Sequence, residues 1–390
     1  MRGAALTINA GSSSIKYALF GASAGNSGPV LQRLAAGQVE GLAATPAGRA
    51  HDQAFAEVIQ RVGDAAAACG GLAVVGHRIV HGGIAFSGPA IVDDTCFAAL
   101  MALAPLAPLH QPYNLAGVAA ARLAFPGVPQ VACFDTAFHR AMPALHQRFA
   151  IPQAWHDAGV RRYGFHGLSY QSIVEQLGAT EPALLAGRVV VAHWGNGASM
   201  CGLRAGVPVA TTMSFSPLDG LTMGTRCGRI DAAVVLHLIE HHGLAPSRVA
   251  ALLQHESGLL GLSGLASDMR TLLASDSAAA QLAVEHFVEA ALREVAGLAA
   301  ALRGLDAVVF TGGIGENAAV VRERFAHGAS WLGVELDAAA NGRGERIINQ
   351  PTSTVRLRVL HTDEEAVIAR HALAVAGDDV STTSTTFPGL

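Results

Sequence analysis

Nothing in this chain is laid out to cross a bilayer or to be stapled by disulfides. No apolar run approaches the roughly 20 residues that a membrane-spanning helix needs. The longest, Phe97 to Leu109, is broken by Pro105 and Pro108. The first residues lack the layout of a signal peptide and enter a strand at once, Ala4-Ala5-Leu6-Thr7-Ile8. The five cysteines are scattered and odd in number. They argue against a disulfide framework and for a reducing cytoplasm. No CxxC pair occurs, which argues against structural zinc. A net charge of −4 gives no reason to expect nucleic acid or an anionic membrane surface as partner. The one Gly-x-Ser-x-Gly spacing, Gly21-Ala22-Ser23-Ala24-Gly25, falls between two expected strands and not at a strand-to-helix elbow, so a serine-hydrolase reading has no support.

The chain does have glycine in polar turns. Phe310-Thr311-Gly312-Gly313-Ile314-Gly315-Glu316-Asn317 follows an apolar run, Asp306 to Phe310, that reads as a buried strand. A buried strand ending in a glycine-rich turn is how α/β proteins hold a nucleotide. Two more such turns occur, Asn9-Ala10-Gly11-Ser12-Ser13-Ser14-Ile15-Lys16 and His193-Trp194-Gly195-Asn196-Gly197-Ala198-Ser199. At 390 residues the chain is too long for one core and predicts two domains.

The order of elements is unlike a Rossmann unit, which alternates from its first strand. Strands are expected at Leu6 to Ile8, Ile15 to Phe20 and Leu31 to Leu42. A helix is expected over Asp52 to Ala68, a buried strand over Ala73 to Val80, a helix over Leu115 to Ala124 and a strand over Gln130 to Phe134. A similar order begins again at Val189 to Ala192, then Met200 to Leu203 and Val207 to Thr212. Helical stretches follow at Asp231 to His242 and Ser277 to Arg303. The loose self-similarity suggests a duplicated domain with one phosphate-binding hairpin in each half. The boundary is expected between Pro143 and Arg161. The Ser/Thr-rich tail, 380–390, is expected to be disordered.

A turn between two strands exposes successive backbone N–H groups, a ready anion site. Ser12, Ser13 and Ser14 add hydroxyl donors, Lys16 adds charge, and Asn9 could reach a metal ion. The alternative is an ordinary hairpin with exposed serines. Arg78 sits inside an apolar strand and needs an anionic partner. That partner is either a carboxylate substrate or an internal carboxylate. His77 and His81 stand about 13 Å apart if both lie on the strand, too far to share a metal. Asp135 follows a strand, His166 is framed by glycines, and so is Arg226 in Gly224-Thr225-Arg226-Cys227-Gly228. Asp, His and Arg beside phosphate turns suit phosphoryl transfer, where a protein positions a metal and neutralises charge.

With these segments on the page the chain resembles the acetate kinase family of acetate and propionate kinases. The matching pieces are NAGSSSIK, GHRIVHGG, APLHQPYN, FDTAFHRAMP, RRYGFHGLSY, VAHWGNGAS, SPLDGLTMGTRCG, FTGGIGEN and TDEE, in the family's order from Asn9 to Glu365. The resemblance implies an α/β fold of two duplicated ribonuclease-H-like domains, as in actin and hexokinase, with an interdomain nucleotide cleft. The first domain would span 1–148 with a C-terminal helix at about 364–378, and the second 149–363. It implies reversible transfer of the ATP γ-phosphoryl to acetate, giving acetyl phosphate and ADP. Magnesium would be the cofactor, with manganese as an alternative. The partners would be a small carboxylate and ATP, and the assembly a cytoplasmic homodimer. A propionate or butyrate kinase is the near alternative. A catalytically weak nucleotide-binding regulator is the distant one, and it would be expected to lose Asp135, Arg226 or Glu364.

The resemblance also implies roles. Asn9 and Glu364 match magnesium-associated residues. Ser12, Ser14 and Lys16 match the first phosphate loop. His193, Trp194, Gly195, Asn196 and Gly197 match the second. Asp268, Met269 and Arg270, with Gly313, Ile314, Gly315, Glu316 and Asn317, match the adenosine side. Asp135, His166 and Arg226 match the catalytic residues. Arg78 and His110 match substrate-side residues, and Val80, Leu109, Phe165 and Pro217 match the apolar pocket for the acyl methyl. A carboxylate is ionised at neutral pH and needs no general base, so Asp135 is read as an organiser of metal and water. Some positions depart from the family pattern: Trp194, Cys227, Arg229, Ala232, Asp363, Gln111 and Tyr113.

Overall fold

The computed structural model describes residues 3–11, 14–25, 28–40 and 49–382. The chain divides into two compact units, one of residues 1–140 with 363–390 and one of residues 141–362. Each is built on its own sheet.

The first unit's sheet comprises β1 (Ala4–Ala10), β2 (Ser14–Gly25), β3 (Gly28–Glu40), β4 (Leu72–Ile79), β5 (Ala90–Ile91) and β6 (Gln130–Phe134), in the order β3-β2-β1-β4-β6-β5. β1, β2 and β3 form an antiparallel meander, and β4 and β6 continue it in parallel. The parallel strands are buried on both faces, so they read as continuous apolar runs and not as alternation. Alternate residues of β4 meet different helices. Val75 joins a core with Phe55, Val58 and Val62 of the helix Arg49–Ala68. Gly76 faces the helix Glu364–Thr382 instead. A Cβ on Gly76 would lie 2.6 Å from Ile368 Cγ2, so only glycine lets that helix so close.

The second unit's sheet comprises β7 (Arg188–Trp194), β8 (Ala198–Arg204), β9 (Val207–Thr211), β10 (Ala307–Thr311) and β11 (Arg356–Val359), in the order β11-β10-β7-β8-β9. β7, β8 and β9 form an antiparallel meander, and β10 and β11 continue it in parallel. The two sheets therefore repeat one topology, and the short edge strand β5 is the first sheet's addition. The helix Ala278–Leu302 covers the second sheet. Its buried residues fall at helical spacing, from Ala280, Ala283, Val284 and Phe287 to Val295 and Leu302, and Ser277 caps its start.

Two elements differ from the sequence reading. Gly312 to Asn317 is not an open turn. The backbone turns at Gly312, with φ of +80°, and runs directly into a short helix, Gly312–Asn317. A Cβ at Gly312 would meet the Trp194 carbonyl at 2.8 Å. The strand Arg356–Val359 was not among those expected, although Val355-Arg356-Leu357-Arg358-Val359 alternates apolar and charged residues as a strand does. The last helix includes Val380 to Thr382, the start of the Ser/Thr-rich tail, while 383–390 lie outside the described residues.

Candidate active site

In the first unit the predicted residues gather where β1, β4 and β6 end. Asn9 is next to last in β1 and is paired in register with Lys16 of β2. Arg78 is next to last in β4, and Asp135 directly follows β6. Glu364 opens the last helix. The Arg78 guanidinium grips Asp135 with two bonds, from Nε at 3.0 Å and Nη2 at 2.6 Å. Its Nη1 donates to Asn9 Oδ1 at 3.4 Å, and Glu364 Oε2 lies 3.8 Å from Nε. Burial opposes charge on Arg78, but Asp135 and Glu364 outweigh it and hold the guanidinium above its ordinary value. Burial pushes the Glu364 carboxyl up to about 7, with Asp135 and Glu365 adding to the rise against Arg78. The buried arginine thus has an internal carboxylate partner. Ser12 lies outside the described residues. Ser14 sits at the far side of that turn and accepts from the Gly11 N–H through its carbonyl at 2.9 Å.

Asn9 and Glu364 offer oxygen donors, the kind magnesium takes. Three carboxylates, those of Asp135, Glu364 and Glu365, act on one guanidinium here, an excess of negative charge that a divalent cation would offset. The donor set fits magnesium on these grounds. Among the described residues no group of three His, Cys, Asp or Glu side chains is placed to hold a metal alone. Magnesium commonly uses one or two carboxylates together with substrate phosphates. His77 and His81 are core histidines. His77 Nε2 bonds Gln130 Oε1 at 2.8 Å, His81 Nδ1 accepts from the Gly83 N–H at 2.9 Å, and burial pushes both down to about 4.

Val80 is buried, while Leu109 and His110 are half-buried at the start of the helix Gln111–Ala124. Sequence reasoning assigned nothing to Asn114 of the same helix. Its Oδ1 accepts from the Val80 N–H at 3.0 Å and its Nδ2 donates to the Ala10 carbonyl at 2.6 Å. One buried amide therefore ties the residue after β4 to the last residue of β1. Gln111, one of the departures, works similarly: its side-chain Nε2 donates to the His81 and Leu100 carbonyls.

In the second unit three glycine-framed segments meet. The β7–β8 hairpin turns through Gly195, Asn196 and Gly197, with the Gly195 N–H on the Gly197 carbonyl at 3.2 Å. A Cβ on Gly197 would lie 2.7 Å from Arg226 Nη2 and 3.5 Å from His166 Nε2. A guanidinium and an imidazole thus converge over bare backbone. Arg226 is anchored by Nη1 on the Pro217 carbonyl at 2.6 Å. His166 stands in the left-handed region, φ 57°, just before the helix Gly167–Thr180. Its Nδ1 bonds Ser199 Oγ at 2.8 Å, and its ring stacks on His193 at 4.3 Å. His193 Nδ1 in turn bonds Ser169 Oγ at 2.8 Å, and Tyr170 bonds Ser199. Ser169, Tyr170 and Ser199 were inside the quoted segments, but only the tertiary register reveals that they orient the two histidines. Phe165 is buried and Pro217 half-buried in this unit.

Other predicted residues spend their side chains on structure. The Trp194 ring is fully buried against Phe287, Phe310 and Phe325, so only its backbone is left to meet a ligand. Asp268 caps the helix Met269–Leu273 by accepting from the Thr271 N–H at 2.9 Å, Met269 is buried, and Arg270 is exposed. Glu316 accepts from the Gly312 N–H at 2.8 Å and from His361 Nδ1 at 2.6 Å. Burial opposes its ionisation, but these donors hold it below its ordinary value. Gly313 and Asn317 are exposed, Ile314 is half-buried and Gly315 buried. Arg229, the departure that adds a cation, pairs with Glu294 at 3.4 Å and leaves Arg226 alone. Asp363 caps the last helix through the Ala366 N–H and pairs with Arg33 at 2.6 Å.

The sequence profile described as the Acetokinase family matches residues 4–370. The chain belongs to the acetokinase family. An acetate kinase of Methylocella silvestris is 49% identical over 95% of this chain and 97% of its own length. One of Nitrobacter hamburgensis is 44% identical over 96% of each. Among solved structures, a propionate kinase of Francisella tularensis superposes with a TM-score of 0.84 at 32% identity, over 96% of this chain and 100% of its own. The Porphyromonas gingivalis acetate kinase gives 0.80 at 33% identity, over 96% and 99%. The duplicated topology of the two sheets is the actin- and hexokinase-like fold of this family.

Proposed function

We infer that the chain is an ATP:acetate phosphotransferase, transferring the γ-phosphoryl of ATP reversibly to acetate with release of ADP. The observation that carries the reading is the convergence of Arg226 and His166 over Gly197, in a chain 44–49% identical to acetate kinases over nearly its whole length. Acetate is favoured over propionate and butyrate because those nearer relatives are acetate kinases.

An acetate oxygen attacks the γ-phosphorus, a new O–P bond forms, and the bond from the γ-phosphorus to the β-bridging oxygen breaks. The nucleophile is already an anion, so no proton has to be removed. The obstacle is repulsion between two anions. Arg78 meets the acetate carboxylate, Arg226 and His166 donate to the oxygens of the transferring group, and Lys16 adds charge at the first hairpin. Asn9 and Glu364 would hold magnesium, which would supply charge neutralisation at the phosphates. Asp135 keeps Arg78 charged and aimed. Val80 and Leu109 of the first unit, and Phe165 and Pro217 of the second, are the residues that the family resemblance assigns to the acyl methyl. Manganese is the alternative metal.

The working form is a cytoplasmic homodimer. What supports a second copy is the helix Ala232–Glu240, which is strongly apolar yet has no buried residue, with Val234 and Leu236 exposed. What supports the compartment is that all five cysteines are free and no described helix is long and apolar enough to cross a membrane. The test is trapping of the acyl phosphate as hydroxamate, with acetate, propionate and butyrate compared side by side. Acetate should give the highest kcat/KM. Absence of any acyl hydroxamate would remove the reading.

A further inference from the structure

Arg322 is among the largest fully buried side chains of the protein, at 1% exposure. A buried cation is normally paired with a carboxylate. Among the described residues this one is not: each bond it makes there ends on a neutral oxygen. Its Nη1 donates to the Gly315 carbonyl at 2.8 Å and to the Glu316 carbonyl at 2.9 Å. Its Nε donates to Asn341 Oδ1 at 2.8 Å, and its Nη2 to the Asn341 carbonyl at 3.1 Å. Burial alone pushes its pKa down. Asn341 is itself fixed by Nδ2 on the Ala319 carbonyl at 2.9 Å.

The two carbonyls belong to the short helix Gly312–Asn317. A helix of six residues is too short to hold its own shape, and its last carbonyls have no partner inside it. Here it is held at both ends. Glu316 reaches back to the Gly312 N–H and the Thr311 hydroxyl. Arg322 takes the carbonyls near the other end, where the helix dipole favours a cation. Between these two clamps, Gly313 and Asn317 remain exposed. The back of the segment is fixed and its front is open.

We propose that Arg322 is a positioning residue for the nucleotide, holding Gly313–Asn317 in the conformation that ATP meets. The proposal rests on the reading of that segment as the adenosine side. Rigid presentation lowers the ordering cost of binding, so loss of the fork weakens ATP and leaves acetate and chemistry alone. Arg322→Met should raise the KM for ATP and the directly measured ATP Kd about tenfold. The KM for acetate, and kcat at saturating ATP, should stay within about twofold. Arg322→Lys, which keeps the charge without the planar fork, should fall between. Asn341→Ala should act in the same direction and add little to Arg322→Met, because both loosen one clamp.

Gly313→Val separates the proposal from the reading beneath it. A Cβ there meets nothing within 4 Å, so this variant is expected to fold and to obstruct a ligand at the exposed face, with a urea melt as the check. If Gly313→Val weakens ATP and folded Arg322→Met does not, Arg322 is structural and the proposal is wrong. If neither changes ATP binding, the segment does not meet ATP and both statements fall. Should Arg322→Met not fold, Arg322→Lys is judged by the same comparison.

Discussion

Arg78 holds Asp135 with two parallel bonds, 3.0 Å and 2.6 Å, at the ends of adjacent parallel strands. The arginine is one-fifth exposed and the aspartate almost fully buried. The pair therefore has one face in protein and one face left for an anion. Arg78→Ala strands a buried carboxylate, and removing one partner of such a pair costs about 3–5 kcal/mol. The same change should raise the acetate KM at least about tenfold while the ATP KM moves less than about twofold. Steady-state kinetics on the folded fraction, beside a urea melt, checks both. A large stability loss with an unchanged acetate KM would make the pair purely structural.

Gly197 leaves the space that Arg226 occupies. Gly197→Ala puts a methyl 2.7 Å from the Arg226 Nη2 position, so the guanidinium must move while the hairpin backbone need not. The expected result is a fall in kcat of about 10²-fold, the size seen when one charge-stabilising donor is displaced. Tm should change little. Equal kcat in variant and wild type would place Arg226 outside the transition state.

Histidines 77 and 81 predict how stability follows pH. Both are pushed down to about 4 from 6.5 by burial, so the unfolded chain binds protons that the folded chain refuses. Their contribution is complete above pH 6.5 and is lost as pH falls from 6.5 towards 4, roughly 1–2 kcal/mol per histidine by pH 5. Glu364 acts in the opposite sense: its carboxyl, raised from 4.5 to about 7, reduces stability as pH rises through that range. Comparing urea unfolding of wild type and His77→Asn between pH 7 and 5 cancels Glu364. The variant should show the shallower loss. Parallel curves would mean that His77 is not held neutral.

Lys16 is the only lysine in the chain. It is exposed and stands opposite Asn9 beside the first hairpin. An amine-directed label should therefore modify Lys16 and the N-terminal amine alone. ATP with magnesium should slow labelling of Lys16, read by peptide mass spectrometry, and leave the N-terminal amine unaffected. Unchanged labelling of Lys16 in the presence of ATP and magnesium would separate it from the phosphates.

Much of this was legible in the residues themselves. The strands Ala4–Ala10 and Arg188–Trp194 are continuous apolar runs ending in polar glycine turns, and both hairpins formed where those signals stood. The repeat was visible because each half opens the same way. Other features depend on contacts distant in sequence. Trp194 lies beside a phosphate-type turn, yet its ring fills a core made by Phe287, Phe310 and Phe325. Arg229 follows Arg226 closely in sequence but points to Glu294 on another helix. Asn114 and Arg322 are ordinary helix residues by pattern. Their tasks appear only when Ala10, Val80, Gly315 and Glu316 are placed around them.

The central claim is that one phosphoryl group passes from ATP to acetate. Phosphorus NMR of the purified protein with ATP, magnesium and acetate follows every phosphorus atom at once. The account predicts acetyl phosphate and ADP appearing in equal amounts, dependent on acetate, and abolished by Arg226→Ala. Release of inorganic phosphate with no acyl phosphate, at any acetate concentration, would contradict it.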